Sequence, residues 1–132
     1  MTGFSWPVRV YWEDTDGGGI VYYANYLRFL ERARTEWLRA RGQSQSELAR
    51  TAGILFAVVH LELSYLSPAR LDDELAVSVE VAPEGRASLR FDQRISRGAK
   101  TLVEASARVA CLDAKTLRPR RLPDRGKELS WT

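Results

Sequence analysis

This sequence contains one long amphipathic helix, and most of the chain that follows it has the pattern of strands. From Asn25 onward, apolar residues recur at intervals of three and four, namely Tyr26, Phe29, Leu30, Ala33, Trp37 and Leu38. Asn25 is expected to cap the start of the helix, and Gly42 is expected to end it. A helix over about residues 24–40 would be about 25 Å long, so its apolar face could cross a small sheet and must be covered.

The segments around this helix have the composition and period of strands. Residues 8–13 alternate in the manner of a half-buried strand, and four longer β-branched segments follow the helix: ILFAVVHLELSYL, LAVSVEV, ASLRFDQRI and KTLVEASARVACL. Turn-forming residues separate them, and the polar segment QSQSELAR is expected to add a helical turn. This order predicts an α+β fold in which an antiparallel sheet wraps around one long helix.

Composition narrows the class of protein and its partners. With 132 residues, of which 28% are charged, the sequence is typical of one globular domain spanning residues 1–132. A net charge of +3 would suit an anionic partner, but the densest basic group, Arg118, Arg120 and Arg121, is too small for a nucleic-acid surface. The single cysteine, Cys111, fits a reducing compartment, and we expect it to be a small buried residue. Since no signal-peptide or membrane-span pattern is present, we expect a cytoplasmic protein without an integral membrane span.

The segment EDTDGGGIVYYANY, residues 13–26, combines acids and glycines in a pattern that excludes several kinds of functional loop. A calcium loop starting at Asp14 is excluded because Asn25 stands where the bidentate acid is needed, and phosphate-loop and dinucleotide fingerprints also fail. A carboxylate, Asp16, beside glycines and the free amides of a helix start could act as a base or nucleophile opposite a donor for developing negative charge. A plain turn would also explain the pattern, so spacing alone leaves both interpretations open.

The run RVYWEDTDGGGIVYYANYLRFLERARTEWLR, with SPARLDDEL and LRPRRLP, resembles the acyl-CoA thioesterases of the hotdog fold. Within them it is most similar to the group associated with the Tol-Pal system, which is related to the 4-hydroxybenzoyl-CoA thioesterases. The resemblance implies a hotdog domain, an acyl-CoA substrate, and a homodimer or homotetramer with its active site at a subunit interface. Because a positioned carboxylate and one helix end could suffice for catalysis, we expect no metal and no cofactor beyond the substrate's own carrier. It also implies that Asp16 is the catalytic acid and that the backbone amide of Tyr23 polarises the thioester carbonyl. The sequence departs from the group at Tyr23, where a histidine is usual, and at Trp12, where a tyrosine is common.

Further positions are predicted to contact substrate or to support the site. The predicted substrate-binding residues are Gly19, Ile20, Val21, Asn25, His60 and Arg90. Asn25 is expected to lie near enough to Asp16 to orient it. Arginines such as Arg90 could bind the phosphates of coenzyme A, although for each one alone a solvated surface position is favoured. His60 is expected to share a strand face with Phe56, Val58 and Glu62, and a structural or interface role is favoured over a catalytic one. Glu31 is expected to form a helix-surface ion pair with Arg34 or Arg28.

The leading hypothesis is therefore an acyl-CoA thioester hydrolase that releases a free acid and coenzyme A. Water is activated directly by Asp16, or it attacks an anhydride formed on Asp16, and the sequence does not separate these routes. One alternative keeps the fold without hydrolysis, as an acyl-thioester binding or partner-docking protein. A second alternative is a basic nucleic-acid binding domain, for which we expect weak binding or none.

Overall fold

The computed structural model describes residues 3–123 and shows one sheet, two α-helices and two short 3-10 turns. The strands are β1 (Phe4–Arg9), β2 (Ile54–Tyr65), β3 (Glu74–Pro83), β4 (Ser88–Arg97) and β5 (Lys100–Asp113), the helices are α1 (Tyr26–Ala40) and α2 (Gln45–Ala52), and the 3-10 turns are Trp12–Asp14 and Tyr23–Asn25. The predicted helical turn in QSQSELAR is confirmed as α2, which Ser44 caps by accepting the Glu47 N–H. Neither helix in residues 3–123 is long and apolar enough to span a membrane.

The five strands form one antiparallel sheet in the order β1-β3-β4-β5-β2, and α1 packs across one of its faces. We call the face covered by α1 the inner face and the opposite one the outer face. Apolar residues of α1 meet those of β3, β4 and β5 in a single core, whose largest fully buried members include Phe29, Leu30, Leu89, Ile95 and Leu102. The predicted α+β architecture is confirmed, because the periodic stripe of α1 finds its cover on the sheet.

The first strand lies earlier in the chain than residues 8–13, so that prediction was wrong. β1 ends at Arg9, which pairs with Glu74 of β3. Beyond it the chain closes a 3-10 turn, in which the Asp14 N–H donates to the Tyr11 carbonyl at 3.0 Å. The Asp14 carboxylate accepts the Tyr11 N–H at 2.8 Å in return. These two bonds replace the strand that alternation alone suggests.

The helix begins before α1, because the turn Tyr23–Asn25 runs into it without a break. Asn25 and Tyr26 both have right-handed helical backbone angles. Asn25 stands at the N-cap position of α1, as predicted, but its side chain makes no capping bond and instead donates to the Asp14 carbonyl at 2.9 Å. At the other end the helix stops as predicted, since Gly42 takes a left-handed conformation at φ 77° and donates to the Arg39 carbonyl.

Strand β2 carries an extra residue that changes which face its side chains occupy. Val58 pairs with Val109 of β5 and His60 pairs with Arg108, which leaves Val59 without a partner on that strand. Val58 thus lies on the inner face, whereas His60 lies on the outer one. The prediction that His60 shares a face with Phe56 and Val58 was wrong, because the bulge separates them; Glu62 does share its face.

Candidate active site

Asp16 lies in an exposed loop with three glycines, each of which is needed either for space or for its backbone conformation. One carboxylate oxygen of Asp16 accepts the Gly18 N–H at 2.7 Å. A β-carbon on Gly18 would lie 3.1 Å from that oxygen, closer than an ordinary contact. Gly17 and Gly19 have φ values of 87° and 89°, which other residues rarely adopt. The second carboxylate oxygen of Asp16 has no hydrogen-bond partner within residues 3–123 and is free to meet a ligand.

Asp14 joins this loop to the start of the helix. It is only 5% exposed, and its backbone carbonyl accepts two hydrogen bonds, from the Tyr22 N–H and from the Asn25 side chain, both at 2.9 Å. The Asp16 N–H bonds to the Ile20 carbonyl at 3.0 Å, so residues 14–16 run antiparallel to residues 20–22. Along this pairing Asp14 is joined to Tyr22, next to the helix start, whereas Asp16 is joined to Ile20, two residues further from it. Asn25 contacts Asp14 rather than Asp16, contrary to the prediction that it orients Asp16.

The far side of the loop is bonded to the segment between β2 and β3. The Val21 N–H donates to the Ala69 carbonyl at 2.9 Å, and the Leu71 N–H donates to the Gly19 carbonyl at 3.0 Å. That segment is held in turn by Asp73, which accepts the Arg70 N–H at 2.8 Å. The loop is thus supported on both sides by backbone hydrogen bonds, which limits its freedom to move.

Asp73 also forms an ion pair that stabilises this support. A guanidinium nitrogen of Arg97, in β4, lies 2.7 Å from its carboxylate. Burial alone would raise the pKa of Asp73, but the Arg70 backbone N–H and the Arg97 guanidinium outweigh it and hold that pKa below its ordinary value. The ionised form of Asp73 is therefore part of the folded structure at neutral pH.

The start of the helix presents unused hydrogen-bond donors. Within residues 3–123 the backbone N–H groups of Tyr23 and Ala24 have no hydrogen-bond partner, as expected for the first residues of a helix. The carbonyl of Tyr23, by contrast, accepts the hydroxyl of Tyr65 from the end of β2 at 2.9 Å. Unpaired N–H groups and the helix dipole together favour negative charge at this point.

The structure gathers some of the predicted site residues and separates others. Gly19, Ile20 and Val21 lie in the loop beside Asp16, in contact with the segment at Ala69. His60 and Arg90 do not join them, because both lie on the outer face of the sheet, where each is cross-strand neighbour to Arg108. There they line a shallow depression of about 330 Å³. Residues 3–123 contain no group of three or more His, Cys, Asp or Glu side chains arranged to hold a metal ion.

Other predictions concern supporting residues. Glu31 does pair with Arg34, at 3.8 Å, and Cys111 is fully buried, as expected. Two further residues contribute to the site. Asp14, an acid that could be expected to hold the loop by hydrogen bonds, is its buried anchor. Tyr65 reaches the helix start from 42 residues away, a contact that sequence spacing does not indicate.

A five-stranded antiparallel sheet around one long helix, with an acid-bearing loop at the helix start, is the hotdog fold of thioesterases. Residues 18–104 match the thioesterase superfamily, and the chain belongs to that family. It is 46% identical over 121 residues to the acyl-CoA thioesterase YbgC of Haemophilus influenzae, covering 92% of this chain and 89% of that one.

Solved structures agree with this family. A probable thioesterase from Bartonella henselae superimposes with a TM-score of 0.87 at 35% identity, over 92% of this chain and 100% of that one. A 1,4-dihydroxy-2-naphthoyl-CoA thioesterase from Synechocystis gives a TM-score of 0.85 at 25% identity, over 92% and 90% of the two chains. The predicted fold and the prediction of a thioesterase are both confirmed.

Proposed function

We propose that this protein hydrolyses acyl-CoA thioesters, with Asp16 as general base or nucleophile and the Tyr23 N–H as donor to the thioester carbonyl. The observation that carries the proposal is that one hydrogen-bonded unit contains both the Asp16 carboxylate, which has one oxygen without a partner, and the unpaired N–H groups of the helix start. The name of the Haemophilus relative supports the choice of coenzyme A as carrier. In the reaction, water adds to the acyl carbon, the carbon–sulfur bond breaks, and the thiolate of coenzyme A takes up a proton.

Asp16 has the freedom that this role requires. The Gly18 N–H holds one carboxylate oxygen in place, while the other has no partner among the described residues. That second oxygen can take a proton from water, or it can attack the acyl carbon to form an anhydride that water then cleaves. A covalent adduct on Asp16, trapped by rapid quenching and seen by mass spectrometry, distinguishes the second route from the first.

The helix start stabilises the charge that develops on the thioester oxygen. An N–H group that is already oriented by the helix needs no reorganisation during the reaction, so it stabilises the transition state more than water does. The donor is the backbone of Tyr23, and its side chain is not needed as a base. The replacement of the group's usual histidine by Tyr23 is therefore compatible with hydrolysis.

A second copy of the chain would complete the site through β2. This strand is an edge of the sheet and exposes apolar side chains of Val58, Val59 and Leu61. Its one carboxylate, Glu62, is paired with His60 on the outer face. The opposite edge, β1, has six residues and contains Pro7, which lacks a donor. A homodimer paired through β2 would cover these side chains, and two dimers could form a homotetramer.

The other residues predicted to contact substrate lie either beside Asp16 or on the outer face of the sheet. Gly19, Ile20 and Val21 would contact the substrate beside Asp16, and Asn25 would act by holding the helix start to the Asp14 carbonyl. His60 and Arg90 could contact only a part of the substrate, such as a phosphate of coenzyme A, that reaches the outer face. Arg90 is partly engaged there by Asp92, at 3.2 Å.

The test measures turnover of a panel of short, long and aromatic acyl-CoA substrates, with release of the free thiol of coenzyme A as the readout. We expect Asp16→Asn to lower kcat by about 10²- to 10⁴-fold, the usual contribution of a positioned acid or base. Substrate binding should persist in that variant, because the amide has the same shape as the carboxylate.

Asp113→Asn is the matched control. Asp113 also caps a turn, by accepting the N–H groups of Lys115 and Thr116, but it is the last residue of β5 and pairs with Ile54, at the opposite end of β2 from Tyr65. Its substitution should leave kcat unchanged. If Asp16→Asn hydrolyses the panel at the wild-type rate, or if the wild-type protein hydrolyses no acyl-CoA, the proposed function is wrong.

A further inference from the structure

The side chain of Tyr65 is fixed against the start of the helix. Tyr65 is the last residue of β2 and is 50% exposed. Its ring packs edge-on against those of Tyr26 and Tyr23, with centroid distances of 5.6 and 6.3 Å. These contacts direct its hydroxyl to the Tyr23 carbonyl, to which it donates at 2.9 Å. This bond joins the end of a strand to one peptide group of the helix start, 42 residues away in the sequence.

That peptide group also carries one of the unused donors. The carbonyl of Tyr23 and the N–H of Ala24 belong to the same amide, and the Ala24 N–H is unpaired within residues 3–123. A hydrogen bond accepted by the oxygen of an amide polarises it and strengthens its N–H as a donor. The same bond fixes the plane of the amide. Since the first N–H groups of a helix all point out of its start, the Ala24 N–H lies beside that of Tyr23.

We propose that Tyr65 is a positioning residue for thioester hydrolysis, which holds and polarises the Tyr23–Ala24 peptide so that the Ala24 N–H is a second donor to the oxyanion. This inference rests on the proposed function and adds a donor and its support to it. Tyr65 neither gains nor loses its proton in the reaction. Burial, with the neighbouring Tyr23 and Tyr26, raises the pKa of the Tyr65 hydroxyl, so it remains a donor at neutral and mildly basic pH.

The first experiment is steady-state kinetics of Tyr65→Phe, which keeps the aromatic contacts and removes only the hydroxyl. We expect kcat to fall about tenfold, the effect of losing one net hydrogen bond in the transition state, with KM within about twofold of the wild-type value. Tyr11→Phe is the matched control, because Tyr11 is also an exposed tyrosine, at 60% against 50% for Tyr65, and its hydroxyl makes no hydrogen bond within residues 3–123. Its kcat should be unchanged. A purely structural role for Tyr65 would lower the melting temperature and leave kcat of the folded enzyme as it was.

The second experiment observes the carbonyl directly. An acyl-CoA carrying ¹³C at the carbonyl is bound to the Asp16→Asn variant, which holds the thioester uncleaved, and the carbonyl stretch is recorded by infrared difference spectroscopy. Hydrogen bonding to the thioester oxygen lowers this frequency. Adding Tyr65→Phe should move it back towards the value in water, whereas adding Tyr11→Phe should not.

The outcomes separate this inference from the function on which it rests. Loss of kcat in Tyr65→Phe together with the change in carbonyl frequency supports it. Unchanged kcat, or an unchanged frequency, overturns it while hydrolysis that depends on Asp16 still stands. Absence of hydrolysis by the wild-type protein would instead remove the proposed function itself.

Discussion

The Gly18 N–H donates to the carboxylate of Asp16 at 2.7 Å, and a methyl group on Gly18 would lie 3.1 Å from the same oxygen. One residue thus both orients the acid and leaves room for it. The glycine is needed here for space rather than for backbone freedom, in contrast to Gly17 and Gly19 with their positive φ values.

Gly18→Ala is expected to impair hydrolysis more than stability. The new methyl group would push the Asp16 carboxylate aside, and a displacement of about 1 Å at a reacting group can cost about 10²-fold in rate. The measurement is kcat with a good acyl-CoA substrate, alongside thermal unfolding.

Gly85→Ala is the control for that substitution. Gly85 lies in the turn between β3 and β4 at φ 71°, with open space around it. Alanine there should lower the free energy of unfolding by about 1 kcal/mol through backbone strain while kcat is retained. Equal effects of the two substitutions on kcat would contradict the role given to Gly18.

Val59→Lys is expected to separate the subunits. Val59 is 52% exposed on the β2 edge, and a charge on an edge strand opposes pairing with another strand. Light scattering after size exclusion should show a monomer where the wild-type protein is a dimer or larger, and turnover should fall with the dimer. Leu117→Lys, at a residue that is also exposed but lies after β5, should change neither. A monomeric wild-type protein with full activity would refute the shared site.

Asp73→Asn is expected to weaken the fold at neutral pH and not in acid. Because the folded-state pKa of Asp73 lies below its ordinary 3.8, its ion pair with Arg97 adds stability above that pH. This contribution is lost as pH falls through the folded-state pKa. Urea unfolding at pH 7 should show a loss of about 1 to 3 kcal/mol, and the difference between the two proteins should shrink as the pH falls below 3.8.

Asp72→Asn is the neighbouring control for this substitution. Asp72 has φ 70°, which asparagine tolerates, and its side chain makes no hydrogen bond or ion pair within residues 3–123. Its stability should match the wild-type value at every pH. A difference between Asp73→Asn and wild type that stays constant as the pH falls below 3.8 would show that the charge of Asp73 is not responsible.

Local periodicity was enough to predict the helix and the strands after it. The stripe from Tyr26 to Leu38 and the alternation in β3 are both imposed by burial on one side, so the pattern is visible in the sequence. The same pattern misplaced the first strand. Residues 10–13 continue to alternate, but the bonds between Tyr11 and Asp14 turn the chain there, and such bonds do not alter hydrophobic periodicity.

Only those site residues could be predicted that are contiguous in the sequence or that match the motif of a known family. The acid and glycines of the loop are contiguous in sequence, and the resemblance to hotdog thioesterases drew attention to Asp16. The contacts of Tyr65 with Tyr23 and of Asn25 with Asp14 depend on where separate elements meet, so spacing could not reveal them. His60 was placed on the wrong face because a one-residue bulge leaves no mark on composition.

The extra residue in β2 determines which face of the sheet is occupied by every later side chain of that strand. Were Val59 to pair in regular alternation with β5, every later side chain of the strand would exchange sides. His60, Glu62 and Ser64 would then turn toward the helix, and Tyr65 would point out of the opposite side of the sheet. The hydroxyl that meets the helix start is therefore delivered there by an irregularity six residues upstream, which makes the exact count of residues in this strand as important to the chemistry as their identity.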